Sequence, residues 1–191
     1  MRYQDDYLSL LLAHESLRFG LYPCPCGSGD VASFSCSNCH GAYSHCERCI
    51  ASIHSRMPLH RIRKWNGTFM EEVELSRLGL VVYFGHDGNP CPIAKTSHSL
   101  STLHIDGYHT LLVAFCACES SQPPHLQLFD NKLFSASIDS PKTVFTFELL
   151  RHFRIHHLES KGSAYTYIQS LYRLTNDEGS GELPVCIPAT P

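Results

Sequence analysis

The spacing of apolar residues predicts helices at both ends of the chain. Residues 3–18 place their larger side chains near one helical face, at Tyr7, Leu10, Leu11, His14 and Leu17. After Ser140-Pro141 a helical period runs through Val144, Phe145, Leu149, Phe153 and Leu158, and a second through Tyr165, Ile168, Leu171 and Tyr172. A shorter helix is predicted over residues 70–79, with Gly79 as its stop signal.

Apolar runs in the middle of the chain predict strands. Residues 80–84 read LVVYF, a continuous β-rich run. Residues 101–105 and 108–115 flank Asp106-Gly107, a dipeptide that favours a tight hairpin turn. A fourth strand is predicted at 126–130. The pattern indicates an α+β fold in which an antiparallel sheet is followed by C-terminal helices.

Composition narrows the class of protein. The 191 residues are 43% hydrophobic, which is enough for a buried core, and carry a formal net charge of −3. No apolar run approaches the roughly 20 residues of a membrane span, and the acidic balance argues against a general nucleic-acid-coating protein. The first 20 residues make a poor signal peptide, so we expect an intracellular protein that has no membrane partner.

Cysteine and histidine are in excess, at 10 and 13 residues. In a reducing compartment such residues indicate metal binding rather than disulfides. Six cysteines crowd into residues 24–49, and two histidines follow them. These eight residues can form two tetrahedral zinc sites: Cys24, Cys26, Cys36, Cys39, Cys46, Cys49, His54 and His60. Consecutive and interleaved pairing are both open from the spacing alone, and His40 and His45 are close enough to compete.

Zinc in this segment is expected to be structural. The stretch has too little apolar content to offset its ordering entropy without metal. Four protein ligands on each ion leave no open position for a catalytic water. The sequence thus predicts an N-terminal helix at 1–22, a zinc module at 23–66, an α+β domain at 67–178 and a loose tail at 179–191.

A third group of ligands is predicted in the α+β domain. Cys116 and Cys118 alternate along a predicted strand and so project from one face. His86 and Cys91 lie in the turn after the first strand and complete a set of three cysteines and one histidine. His109 is an alternative fourth ligand, and the competing interpretation makes the cysteine pair part of the core.

A locally basic stretch precedes the only tryptophan, Trp65. It can contact phosphate or can simply be a solvated face, and its members are Arg48, Arg56, Arg61, Arg63 and Lys64. No catalytic motif is present. Asp106 fits the hairpin turn better than a nuclease carboxylate, and His152 and His156 lack further ligands beside them. We therefore expect no enzyme activity.

The segment FSCSNCHGAYSHCERC resembles ZZ-type and B-box zinc modules. That resemblance implies interleaved pairing and a small cross-brace module at the start of the α+β chain. One site would take Cys24, Cys26, Cys46 and Cys49. The other would take Cys36, Cys39, His54 and His60. It also implies an alternative function, the capture of peptides or proteins without DNA contact.

A longer resemblance covers about residues 22–178. The run PLHRI..WNG.F at 58–69, Gly85-His86, Cys91-Pro92, Asp106-Gly107 and FCAC at 115–118 are similar to the CxC-type cysteine cluster that precedes KDZ transposases of fungal mobile elements. The resemblance implies a zinc-chelating accessory domain that helps a transposase to recognise transposon DNA or a protein partner. It also implies residence in the nucleus. Because the transposase's catalytic carboxylates find no counterpart here, we expect a detached accessory domain.

Overall fold

The computed structural model describes residues 3–15, 22–41, 43–94 and 96–176. The chain forms two compact units, Met1–Leu80 and Val81–Pro191. Each unit contains both helices and strands, which confirms the α+β class. No helix among the described residues is long and apolar enough to cross a membrane.

The first unit begins with α1, Gln4–Glu15, which lies inside the helix predicted at 3–18. Its larger apolar side chains are all exposed, at Tyr7, Leu8, Leu10, Leu11 and Leu12. The apolar face predicted for this helix is therefore exposed, and none of the described residues buries it. The predicted continuation of the helix to residue 18 lies outside them.

A small antiparallel sheet organises the rest of this unit. Its strands, in the order β1-β2-β3, are Phe34–Cys36, Ile62–Trp65 and Met70–Val73. The helix α2, Glu47–Ile53, contributes Ile50 to a core whose other buried members are Phe34, Ile62 and Leu75. This small core fixes the position of Cys36, which pairs with Ile62 at the end of β1.

The helix predicted at 70–79 is wrong. Met70–Val73 forms the strand β3, and its register places Glu72 opposite Arg63 and Glu71 opposite Lys64. Pairing with β2 outweighs the helical propensity of this glutamate-rich segment. Leu75 then packs into the core, so the compact unit extends to Leu80, beyond the boundary predicted after residue 66.

The second unit is built on a five-stranded sheet in the order β4-β6-β5-β8-β7. The strands are Val81–Tyr83, His98–His104, Gly107–Ala114, Leu133–Ser135 and Thr143–Thr146, numbered β4 to β8. The hairpin of β5 and β6 turns at Asp106-Gly107 as predicted, with Gly107 at φ 122°, where L side chains are disfavoured. The sheet is mixed rather than wholly antiparallel, because β4 and β8 run parallel to their partners β6 and β5.

The strand predicted at 126–130 is wrong, because Pro124–Asp130 forms the helix α3. Pro124 supplies the restricted backbone that suits the first helical turn, and Gln127 and Leu128 are buried. The helical period predicted from Val144 begins instead as strand β8.

Two C-terminal helices cover the sheet, α4 at Phe147–Ser160 and α5 at Ala164–Thr175. The hydroxyls of Thr146 and Ser163 cap their first turns by accepting hydrogen bonds from the backbone. Their apolar residues join the hairpin in one core: Leu103, Tyr108, Leu149, Tyr167 and Leu171. The predicted tail at 179–191, which includes Cys186, lies outside the described residues.

Candidate metal centres

The first group of ligand atoms combines two cysteine pairs from distant positions. Cys24, Cys26, Cys46 and Cys49 place their sulfurs within 4.8 Å of one another. The Sγ atoms of Cys26 and Cys46 are 3.9 Å apart, which excludes a disulfide between them. These are the four residues that interleaved pairing joins.

Local backbone geometry presents these sulfurs. The amide of Cys24 donates to the Asp30 carbonyl at 2.7 Å, which closes a tight loop around Cys26. Gly27, at φ 75°, allows the left-handed turn in that loop. Cys46 occupies the position directly before α2, so Cys49 follows on the first helical turn. The Cys46 amide donates to Cys24 Sγ at 3.3 Å.

The thiols of this group do not titrate alike. The Ser28 hydroxyl and amide donate to the Cys26 thiolate, which lowers the Cys26 pKa to about 6. The pKa of Cys49 is raised to about 12, first by a hydrogen bond between its thiol and the Cys26 sulfur. The pair therefore shares its charge and holds a proton that a bound cation would displace.

The second group joins Cys36, Cys39, His54 and His60, again within 4.8 Å. Cys39 Sγ lies 3.4 Å from His54 Nε2 and 3.5 Å from His60 Nδ1, and Cys36 Sγ lies 3.4 Å from the same His60 nitrogen. Burial raises the pKa of the Cys39 thiol. These are again the four residues that interleaved pairing joins.

His54 is the most deeply placed of these ligands, at 1% exposure. Its Nδ1 donates to the Ile50 carbonyl at 2.9 Å, which fixes the ring and leaves Nε2 free of a proton and facing Cys39. A carbonyl behind a histidine is the usual support of a metal-bound imidazole.

The third group lies in the second unit and joins His86, Cys91, Cys116 and Cys118. His86 Nε2 lies 3.3 Å from Cys116 Sγ and 3.5 Å from Cys118 Sγ, and the Sγ atoms of Cys91 and Cys118 are 3.9 Å apart. Cys116 and Cys118 follow the end of β6 at Ala114 and do not lie on the strand, where the sequence had predicted them. An irregular segment therefore brings them together.

The charges in the third group are also shared. The pKa of Cys91 is lowered to about 6, first by a hydrogen bond from the Ala117 backbone. The pKa of Cys118 is raised to about 11, first by its neighbour Cys116. As in the first group, a cation would displace a proton held within the cluster.

A buried glutamine that the sequence did not indicate holds this third group. Gln127, at 8% exposure, accepts from the Cys116 amide at 2.8 Å through Oε1. Its Nε2 donates to the Cys116 carbonyl at 3.0 Å and to the Gln122 carbonyl at 2.6 Å. The side chain thus fixes the backbone on both sides of the Cys116 Cα. The two prolines before it, Pro123-Pro124, were the signal for a helix start that could have placed it.

The distances in all three groups fit tetrahedral zinc. Zinc bonds of about 2.3 Å to sulfur and 2.0–2.1 Å to nitrogen place two ligand sulfurs about 3.8 Å apart and a sulfur and a nitrogen about 3.5 Å apart. The sulfurs of Cys26 and Cys46 are 3.9 Å apart, as are those of Cys91 and Cys118. The five sulfur–nitrogen distances given above are 3.3–3.5 Å. The donor sets and spacings therefore suit this ion.

Other predicted candidates lie outside the groups. His45 exchanges backbone hydrogen bonds with Phe34, and burial lowers its pKa, while His40 is exposed. His109 is bound to Asp106, with 2.7 Å between Nε2 and Oδ1. Of the histidines on α4, His152 bonds the Tyr167 hydroxyl at 2.6 Å.

The basic stretch is partly neutralised. Arg63 and Lys64 lie directly opposite Glu72 and Glu71 in the β2–β3 register, where paired side chains share a face. The Nη1 of Arg61 lies 3.5 Å from Glu72 Oε2. Arg61 and Arg63 therefore present less free positive charge than the sequence suggests. Lys64 stays exposed, with its Nζ 5.3 Å from the centre of the Phe34 ring.

The remaining basic residues of the stretch, Arg48 and Arg56, are exposed. Trp65 is half-buried and lies opposite Met70 across the sheet.

A family model described as a CxC2 like cysteine cluster associated with KDZ transposases matches residues 75–179. The matched range contains the third group and begins after the first two groups and the 58–69 segment. No curated protein and no solved structure matches the chain.

Proposed function

The chain belongs to the family of CxC2-like cysteine clusters associated with KDZ transposases, and we propose that it is a zinc-stabilised, non-catalytic accessory domain of such a transposase. The observation that carries this proposal is the convergence of twelve ligand atoms in three sets of four. Each set has the donor types and spacings of structural zinc.

Filled coordination supports a structural role. Each group supplies four protein ligands, so an ion held by all four has no position left for a catalytic water. Zn²⁺ binds thiolates and neutral imidazoles, so its binding would release the protons that thiols such as Cys49 and Cys118 hold in the metal-free chain. The metals would fix the loops of both units.

The role in recognition is proposed from the family, since an accessory domain of a transposase acts beside DNA. Arg48 and Arg56 are exposed cations of the basic stretch that lie outside the β2–β3 strand pairing, and they support phosphate contact. Residence in the nucleus follows from this role. Zinc thiolate sites add negative charge, because the four thiolates of a site with four cysteines carry two more charges than the ion neutralises. Contact with DNA phosphates must therefore be local.

Salt titration tests DNA contact. A fluorescent random-sequence DNA duplex is titrated with the zinc-loaded chain over a range of salt concentrations, alongside the variants Arg48→Gln and Arg56→Gln. Each lost phosphate contact should reduce the slope of log affinity against log salt by about 0.9. Arg63→Gln is the matched control and should change the slope less, because Glu72 already faces that cation. Salt-independent or undetectable binding would remove DNA contact from the proposal.

A second candidate function, capture of a protein segment, is favoured by a groove in the first unit. This open groove of about 640 Å³ has an apolar lining from Val31, Phe34 and Leu78. Charged groups of both signs also line it: Asp30, Glu47, Arg48 and Lys64. A lining that combines apolar side chains with charges of both signs suits a peptide better than a phosphate backbone.

Filling the groove tests this second candidate. Peptides selected from a displayed library on the zinc-loaded chain should lose affinity for Ala51→Trp, because Ala51 lines the groove. The neighbouring Ser52 is exposed and does not line the groove, so Ser52→Trp should bind as the wild type does. Equal binding by both variants would contradict this candidate.

A further inference from the structure

The third group differs from the second in how its histidine is held. His86 is exposed, whereas His54 is 1% exposed and His60 is half-buried. Water and solutes therefore reach the His86 edge of the third group, while the His54 edge of the second group is closed.

His86 also lies in a strained turn. Gly85, His86, Asp87 and Gly88 have φ values of 84°, 48°, 54° and 82°. Glycine adopts this left-handed region freely, but His86 and Asp87 do so only at a cost in free energy. Such strain persists where other interactions impose it.

The cysteine side of the group imposes this geometry. A Cβ on Gly85 would lie 3.1 Å from the Cβ of Cys116, a tighter contact than Cβ atoms usually make, so glycine favours this close approach of the turn. Gln127 in turn fixes the Cys116 backbone from the opposite side. The Cys116 side of the centre is therefore held in place by Gln127, and the His86 side is under backbone strain.

We propose that His86 is the exchangeable ligand of the third centre and that an imidazole from outside the chain can take its coordination position. The inference rests on the proposed zinc in this group. In the exchange, the bond from zinc to His86 Nε2 breaks and a bond from zinc to the incoming neutral imidazole nitrogen forms. Charge and oxidation state stay unchanged. The turn relaxes when His86 leaves, which favours the exchange.

Chemical rescue tests the inference. The chain carrying His86→Gly should lose one of three zinc ions in native mass spectrometry, and millimolar imidazole should restore the third. The matched variant is His54→Gly, in which the missing ring was enclosed, and imidazole should not restore its metal. Cobalt substitution reports the same result through its visible absorption, which distinguishes a four-coordinate set of three sulfurs and one nitrogen. Three ions in His86→Gly without imidazole, or no restoration with it, would overturn the proposal.

A strain-relief variant tests the same idea with every ligand in place. Asp87→Gly removes a side chain from the left-handed region, and it should slow zinc transfer from the third centre to a chelator about five- to thirtyfold. Asp139→Gly makes the same change at an exposed loop residue outside the left-handed region, and should leave the rate unchanged. Equal rates in both variants would contradict the role of strain.

The two proposals fail in different ways. A wild-type chain that holds two zinc ions, with Cys116 and Cys118 open to alkylation, would remove zinc from the third group and the exchange with it. A wild-type chain that holds three ions but shows no imidazole rescue in His86→Gly would overturn the exchange alone.

Discussion

Replacing Gln127 with leucine should weaken the third centre without touching a ligand. The leucine fills most of the same buried space, but it can neither accept from the Cys116 amide nor donate to the Cys116 and Gln122 carbonyls. The Cys116 backbone then loses its support, and the sulfurs are no longer held ready for the metal.

The size of the effect follows from the two hydrogen bonds to Cys116. At a net value of about 1 kcal/mol each, their loss amounts to about 2 kcal/mol. That corresponds to a decrease of about 30-fold in zinc affinity. It lies within the 10- to 100-fold range typical of residues that support metal ligands.

Competition with a fluorescent chelator measures this affinity, and alkylation of Cys116 and Cys118 identifies the centre that loses metal. Gln169→Leu is the matched control, because it makes the same change on α5, which carries none of the candidate ligands. If Gln127→Leu folds and holds its third zinc as tightly as the wild type, the inferred clamp is refuted.

Three further results are expected. The His54→Ala variant should lose one zinc ion, because it removes a buried candidate ligand, and circular dichroism should show its first unit unfolding at a lower temperature. The control His40→Ala changes an exposed residue and should behave as the wild type. Zinc affinity, measured by chelator competition, should rise with pH between 6 and 8 by about tenfold per pH unit for each displaced proton. The reason is that the Cys49 and Cys118 thiols, whose pKa values are raised to about 12 and 11, must lose protons on binding. An affinity that does not change with pH would contradict this. Glu72→Gln should strengthen DNA binding and steepen its salt dependence by exposing the cations of β2, and an unchanged slope would show that these cations make no phosphate contact.

The candidate ligands could be predicted from the sequence because cysteine spacing is a local constraint. That spacing left consecutive and interleaved pairing open, and the resemblance to ZZ-type and B-box modules implied the interleaved one. A C-x2-C step such as Cys36–Cys39 places two sulfurs in one turn, so the short list of pairings was already visible. The structure brings together the same three sets that interleaved pairing and the third-group prediction named. The Asp106-Gly107 hairpin was predictable for the same reason, since its turn chemistry is local.

Gln127 was not predictable from this pattern. Its role depends on the helix α3, but the apolar run at 126–130 favoured a strand in that segment. It also depends on that helix packing beside the segment after β6, which is a tertiary contact.

The β3 strand was missed for a related reason. The residues Met70–Val73 contain two glutamates that favour a helix, but their cross-strand partners on β2 decide the outcome. The same pairing changed the interpretation of the basic stretch, because the partners of Arg63 and Lys64 lie on the next strand along the chain and face them only in the folded sheet.

Native mass spectrometry of the purified chain, before and after chelation, bears most directly on the proposed metal centres. Three zinc ions should be present, and circular dichroism should show loss of folded structure when a chelator removes them. A folded, stable chain without zinc would contradict the proposal that these twelve residues are structural metal ligands.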